Sequence, residues 1–317
     1  MNQLKPLIEQ RADPFIHRHS DGYYYFTASV PAYDGVELRR AKSIGGLAEA
    51  KPVMVWKKPE KGPYSDLIWA PEIHFNEGAW YVYFAAAPNR EIKDGLFQHR
   101  MYALRCKDED PLAGEWEFMG QIETGMDSFC LDATTFKNKG VLYYVWAQKE
   151  KGIPGNSNLY IAPMKSPCEI EGKPVRLTVP EFDWETRGFK VNEGPAVLIR
   201  HGKVFISYSA SATDENYCMG LLCAKTDANL LDPKSWSKSP TPVFTSCYEH
   251  GIYGPGHNSF TVSADGETDL LVYHARTYTE IKGDPLWDPN RHTFVKPIRW
   301  NERGMPVFGR PSIEESE

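Results

Sequence analysis

The chain has 317 residues, with a net charge of −6 and a pI near 5.9, so it lacks the clustered basic surface that a nucleic-acid partner requires. At this length a core can bury about three quarters of the unfolded surface without staples, and no apolar stretch reaches the length of a membrane span. The six cysteines (Cys106, Cys130, Cys168, Cys218, Cys223 and Cys247) show no CxxC pair and read as reduced thiols, with no chemistry assigned to Cys130.

Taken in chain order, the N-terminal stretch "MNQLKPLIEQRADPF" has no apolar leader, which leads to the expectation of a cytoplasmic protein acting on short imported substrates. Helical periodicity is nearly absent beyond it. Five segments instead share one plan: a short strand, a charged turn usually carrying Gly, then an aromatic-rich strand. They are "ADPFIHRHSDGYYYFTAS" from Ala12, "APEIHFNEGAWYVYFAAA" from Ala70, "LDATTFKNKGVLYYVWAQ" from Leu131, "EGPAVLIRHGKVFISYSAS" from Glu193 and "GPGHNSFTVSADGETDLLVYHAR" from Gly254. Setting Pro14, Pro71, Ala133, Pro195 and Pro255 in register gives intervals of 57, 62, 62 and 60 positions. A period near 60 is what a four-stranded blade with its loops occupies. The expected fold is therefore all-β: a five-bladed β-propeller, one domain over residues 1–317, with the chain ends closing the ring in one blade. A β-sandwich with a second small domain is the rival, and the even period weighs against it.

In a propeller the innermost strand of each blade lines the axis, so the starts of the repeats should share one pocket. Asp13, Ala70-Pro71-Glu72, Asp132, Glu193 and His257 stand there. Carboxyls crowded into a desolvated site cannot all stay ionised. One kept protonated serves as a general acid and one left ionised as a general base, the division of labour that glycoside hydrolysis uses. Each signal alone has a plainer reading: an Asp before Pro forms turns, and a Glu before Gly-Pro is often a surface acid. Their coincidence at one register point favours function.

Around the acids, Glu72 is read as holding the pocket's hydrogen-bond network. Trp69 either stacks on a sugar face or packs in the core, and Phe15 and Phe129 flank the acids. Arg276 either pairs with a pocket acid, binds a sugar hydroxyl or is plain surface. These five are the expected substrate-binding residues. His257 is the single metal candidate. One His makes no zinc site, but it suits a hard cation, calcium or sodium, held mostly by water on the axis. No organic cofactor, nucleic acid or membrane is expected, and the oligomeric state is left open.

The motifs "ADPF", "WAPE", "LDAT", "NEGP" and "GHNS", in this order and spacing from Asp13 to Arg276, resemble glycoside hydrolase family 43. The resemblance implies a five-bladed propeller with an inverting mechanism, with Asp13 as general base, Asp132 as pKa modulator and orienter, and Glu193 as general acid. It also implies a cation or water-filled site at His257. Ala133 follows Asp132 where some relatives carry Pro or Gly. The chain looks most like arabinan-acting members, which points to release of terminal α-L-arabinofuranose from arabinan or arabino-oligosaccharides. β-Xylosidase and endo-arabinanase are the alternatives. A lectin would replace the acids with aromatics. A phosphorylase would need a basic phosphate pocket, for which only Arg276 and His274 are at hand.

Overall fold

The computed structural model describes residues 5–311. Five antiparallel sheets follow one another along the chain. Blade I is β1 (Ala12–Arg18), β2 (Tyr24–Ser29), β3 (Gly35–Ala41) and β4 (Val53–Lys57). Blade II is β5 (Asp66–Asn76), β6 (Ala79–Ala87), β7 (Arg100–Cys106) and β8 (Trp116–Gln121). Blade III is β9 (Cys130–Asn138), β10 (Val141–Gln148) and β11 (Asn158–Ser166), with β12 (Glu169–Ile170) and β13 (Val175–Thr178) both paired to β11. Blade IV is β14 (Asn192–Arg200), β15 (Lys203–Ala210), β16 (Cys218–Lys225) and β17 (Ser237–Lys238). Blade V is β18 (Tyr253–Val262), β19 (Asp269–Arg276) and β20 (His292–Pro297), followed by a small hairpin of β21 (Arg299–Trp300) and β22 (Pro306–Val307).

Both faces of a blade are buried against neighbouring blades, which is why the second strands read as nearly continuous apolar runs. In β6 the period of two divides the residues between two cores. Trp80, Val82, Phe84 and Ala86 join the cluster holding Tyr25, Val36 and Leu38 of blade I. Tyr81, Tyr83, Ala85 and Ala87 join the cluster holding Tyr144, Trp146 and Ile161 of blade III. Each large side chain fully buried in this way contributes about 1.5–3 kcal/mol. The ring closes at blade V, where the N-terminal segment adds to the free edge of β20. The Leu7 amide donates to the Thr293 carbonyl at 2.7 Å, and the Thr293 amide donates to the Ile8 carbonyl at 2.8 Å. Residues 7 and 8 thus join the last blade, which closes the ring as expected. The six cysteines are free thiols.

A bulge at the axial start of every inner strand aims side chains into the centre. Asp13, Ala70, Asp132, Gly194 and His257 all have left-handed backbone, with φ of 56°, 46°, 52°, 53° and 40°. Strand pairing slips at each of them. Four of the five are not glycine, and such conformations cost on the order of 1–3 kcal/mol each. The bulge gives the true register of the repeat. Asp13 and Asp132 sit on the left-handed residue, while Glu193 precedes it by one. In the fifth repeat Asn258, not Pro255, is the counterpart of Pro14, because the turn from Tyr253 to Gly256 carries a second irregularity.

Candidate active site

A cavity of about 200 Å³ opens at the axial end where the inner strands start. Its wall contains Asp13, Asp132, Glu193 and His257 from four blades. Trp69 of β5 and Leu131 of β9 add to it, and loops on that same end supply more: Leu96 and Phe97 between β6 and β7, Phe129 before β9, Phe189 before β14, Tyr217 before β16, and Leu286 and Arg291 between β19 and β20.

Asp13 is the most heavily contacted acid. Its Oδ2 accepts the Ser29 hydroxyl at 2.5 Å. Its Oδ1 lies 3.3 Å from His257 Nδ1, 3.3 Å from His274 Nδ1 and 3.5 Å from an Arg291 guanidinium nitrogen. Burial opposes the charge, but His257, Arg291 and His274 outweigh it and hold Asp13 well below the usual carboxylate range. Arg291 also donates to the Tyr33 hydroxyl at 3.1 Å, which keeps the guanidinium over the cavity wall.

Asp132 and Glu193 form the opposite case. Burial raises Asp132, with Glu193 and Asp13 adding repulsion and His257 only partly offsetting it. Glu193 is likewise raised by burial and by Asp13, with the Tyr217 hydrogen bond and Arg291 pulling the other way. The two carboxyls titrate as a coupled pair that retains a proton near neutral pH. Asp132 Oδ2 accepts the Gly194 amide at 3.1 Å, which fixes the backbone beside Glu193. Gly194 is required there. A Cβ would stand 3.1 Å from the His257 ring, and φ is positive. Tyr217 donates its hydroxyl to Glu193 Oε1 at 2.7 Å.

Of the other expected residues, Trp69 and Phe129 line the cavity. Trp69 divides its surface: His99 stacks on the ring at 4.0 Å between centroids, Phe97 and Tyr33 meet it edge-on, and the remainder faces the cavity. Phe15, Glu72 and Arg276 do not line it, which corrects the expectation that they touch substrate. Glu72 lies two residues beyond the bulge, one step down the axis, bonded to His74 Nε2 at 2.9 Å. Phe15 packs on that same His74, with centroids 4.8 Å apart. Arg276 turns away from the acids and donates to the carbonyls of Thr213 at 2.5 Å and Pro285 at 2.7 Å. It straps together the two loops that carry Tyr217 and Leu286 to the cavity.

His257 occupies the axis as expected, but its Nδ1 is turned to Asp13 and, at 3.8 Å, to Asp132. Among the described residues no group of three or more His, Cys, Asp or Glu is placed to hold a metal ion. The donor set therefore does not fit a cation held by several protein ligands, and it offers an ion one imidazole nitrogen at most. Among the described residues no helix is long and apolar enough to cross a membrane.

Sequence reasoning missed Tyr217, Arg291 and Ser29. Ser29, the last residue of β2, could have been found from its place opposite the first acid in the hairpin. Tyr217 and Arg291 lie in loops outside the repeat and carry no local signal.

A model of glycosyl hydrolases family 43 matches residues 4–306. The chain is 52% identical over 306 residues to an extracellular exo-α-(1→5)-L-arabinofuranosidase of Streptomyces avermitilis, covering 96% of this chain and 63% of that protein. It thus spans less than two thirds of that relative's length. A protein of the same name from Streptomyces chartreusis is 50% identical over 280 residues, 88% of this chain and 84% of its own. The crystal structure of an α-L-arabinofuranosidase from Lactobacillus brevis superposes with a TM-score of 0.96 at 58% identity, covering 99% of this chain and 98% of that one. The two Streptomyces proteins are named extracellular, which overturns the expectation of a cytoplasmic protein. That expectation rested on the first residues of the chain, which do not report where the folded propeller works. The idea of a substrate imported into the cell falls with it.

Proposed function

The chain belongs to glycosyl hydrolases family 43, and from that premise we propose that it is an inverting, exo-acting α-L-arabinofuranosidase that removes terminal arabinofuranose from arabinan or arabino-oligosaccharides. The observation that carries the reading is the opposite poise of two acids in one cavity: Asp13 held ionised by the Arg291 guanidinium and two histidines, and the Glu193–Asp132 pair held partly protonated. Asp13 takes a proton from a water as the water oxygen bonds to the anomeric carbon. The bond from that carbon to the leaving oxygen breaks, and Glu193 delivers its proton to that oxygen. Attack and departure on opposite faces invert the anomeric centre. Asp132 stays behind the acid, keeping its proton affinity high and its backbone in place.

Exo action is supported by the wall itself, since loops from blades II to V, with Asp13 of blade I, close around a small cavity that suits a chain end better than a chain interior. The exposed side chains of Ile92 and Phe189 on the rim suit the apolar faces of the next sugar rings. An axial ion, if bound, is held by His257 and water alone. It raises the melting temperature of chelator-treated protein when calcium or sodium is restored, and an unchanged melting temperature with both ions rejects it.

The test is a panel of aryl α-L-arabinofuranoside, aryl β-xyloside and linear arabino-oligosaccharides, with products resolved by size and early anomers followed by NMR. Arabinose of inverted configuration, released one unit at a time, is the expected product. Retained configuration, internal cleavage or a preference for xyloside overturns the proposal.

A further inference from the structure

One stacked pair of rings reaches both the acid and the base. Tyr217 touches Glu193 through its hydroxyl, and its ring lies on the imidazole of His274 with centroids 5.6 Å apart and planes 8° from parallel. On its far side His274 accepts the Asp13 amide at Nδ1 at 3.0 Å and lies 3.3 Å from Asp13 Oδ1. Both rings are 1% exposed. The seat is built for the tyrosine. A Cβ on Gly256 would stand 2.5 Å from the Tyr217 ring, and one on Gly254 would stand 2.2 Å from the Asp214 carbonyl, in the loop that delivers the ring. A close-packed interior of this kind resists small displacements.

We propose that the Tyr217–His274 stack is a rigid spacer that sets the separation of the two catalytic carboxyls, with Tyr217 positioning Glu193 and His274 positioning Asp13. The idea rests on the assignment of those two residues as acid and base. An inverting enzyme needs such a device, because the carboxyls must stand about 6.5–9.5 Å apart to admit one water, and misplacement of a reacting group by about 1 Å costs about 100-fold. The acid and base come from blades IV and I, with no direct strand pairing between them. The stack spans that gap through blade V.

Three variants test it: Tyr217→Phe, which keeps the ring and deletes the hydroxyl, Tyr217→Leu, which deletes the ring, and His274→Gln, which breaks the stack from the other side. Rates are measured on arabinobiose and on an aryl arabinofuranoside with an acidic phenol. Tyr217→Phe is expected to lose roughly 10- to 100-fold on arabinobiose and little on the aryl substrate, as loss of one hydrogen bond to a charged partner implies. Its basic pH limb should move upward, because the deleted bond favours the ionised acid. Asp13, Asp132, His257 and Arg291 also face Glu193 in the cavity, with Asp284 on the wall, and none of them is altered.

Tyr217→Leu and His274→Gln are expected to lose rate on both substrates, and their double variant to be no worse than the poorer single, as parts of one unit behave. Multiplicative losses in the double variant, or a Tyr217→Phe profile unmoved in both pH limb and leaving-group dependence, overturn the spacer. If Tyr217→Leu does not fold, Tyr217→Phe combined with His274→Gln decides the same question. Glu193→Ala run alongside separates the two ideas: equal losses on both substrates would reject Glu193 as acid, whatever the stack does.

Discussion

Asp13 and Glu72 are both buried carboxyls on inner strands, in adjacent blades, and the structure treats them in opposite ways. Asp13 meets two histidines, an arginine and a serine, and stays ionised. Glu72 meets His74 and the Thr134 hydroxyl, and burial pushes it up to about 8. Burial also lowers His74 to about 3, so the pair is a neutral hydrogen bond and not an ion pair. Burial alone therefore makes an uncharged structural acid. A base needs a partner that favours its charge, and Asp13's partners come from blade V: the Arg291 guanidinium just before β20, with His257 on β18 and His274 on β19 beside it. Blade V reaches blade I only when the ring closes. The charge on the base is a consequence of that closure.

The largest way to test this contrast is Asp13→Asn, which should lower kcat by about 100- to 10,000-fold on aryl and natural substrates alike, the range expected for loss of a general base. A rate within a few-fold of the parent would remove Asp13 from that role. Next is Arg291→Met. Removing that guanidinium should raise the Asp13 pKa, with His257 and His274 left to hold it, and move the acidic limb of the kcat/KM profile to higher pH. The loss at neutral pH should be roughly 10-fold, the scale of one charged hydrogen bond. Arg291→Lys should restore most of the profile. An unmoved limb in both would mean that the histidines suffice.

Glu72→Gln should change kcat by less than about 3-fold and show itself in stability instead. With a pKa raised from 4.5 to about 8, folded Glu72 keeps a proton that the unfolded chain releases, so parental stability falls as pH rises from 4.5 to 8 and levels above. Relative to the parent the variant should gain on the order of a few kcal/mol across that window, read from urea midpoints. A parallel pair of curves would show Glu72 to be ionised. The smallest effect belongs to Phe15→Leu, which trims the packing on His74. It should cost about 1 kcal/mol of stability and leave KM unchanged, whereas a raised KM would return Phe15 to the cavity.

Much of this was legible in the chain. The repeat exposes itself because every blade must bury the same two faces, and the residues that start the inner strands, Asp13, Asp132, Glu193 and His257, are conspicuous against the apolar pattern that follows them. Arg276, at the end of β19, failed as a sugar contact because its guanidinium bonds loop carbonyls, whereas the readings of Phe15 and Glu72 failed for one shared reason. The bulge decides which side chain after it points along the axis and which points between blades, and a shift of one residue exchanges the two. A linear repeat does not reveal where the bulge falls, as the misplaced Pro255 register demonstrates.

The amino-acid order by itself determined five blades and a set of acids at one end of an axis, because strand periodicity and repeat spacing are local properties of the chain. Only the tertiary structure decided which acid is charged, which is protonated and which is merely structural. Those states depend on neighbours that stand hundreds of positions away and arrive only through ring closure and through loops that share no pattern.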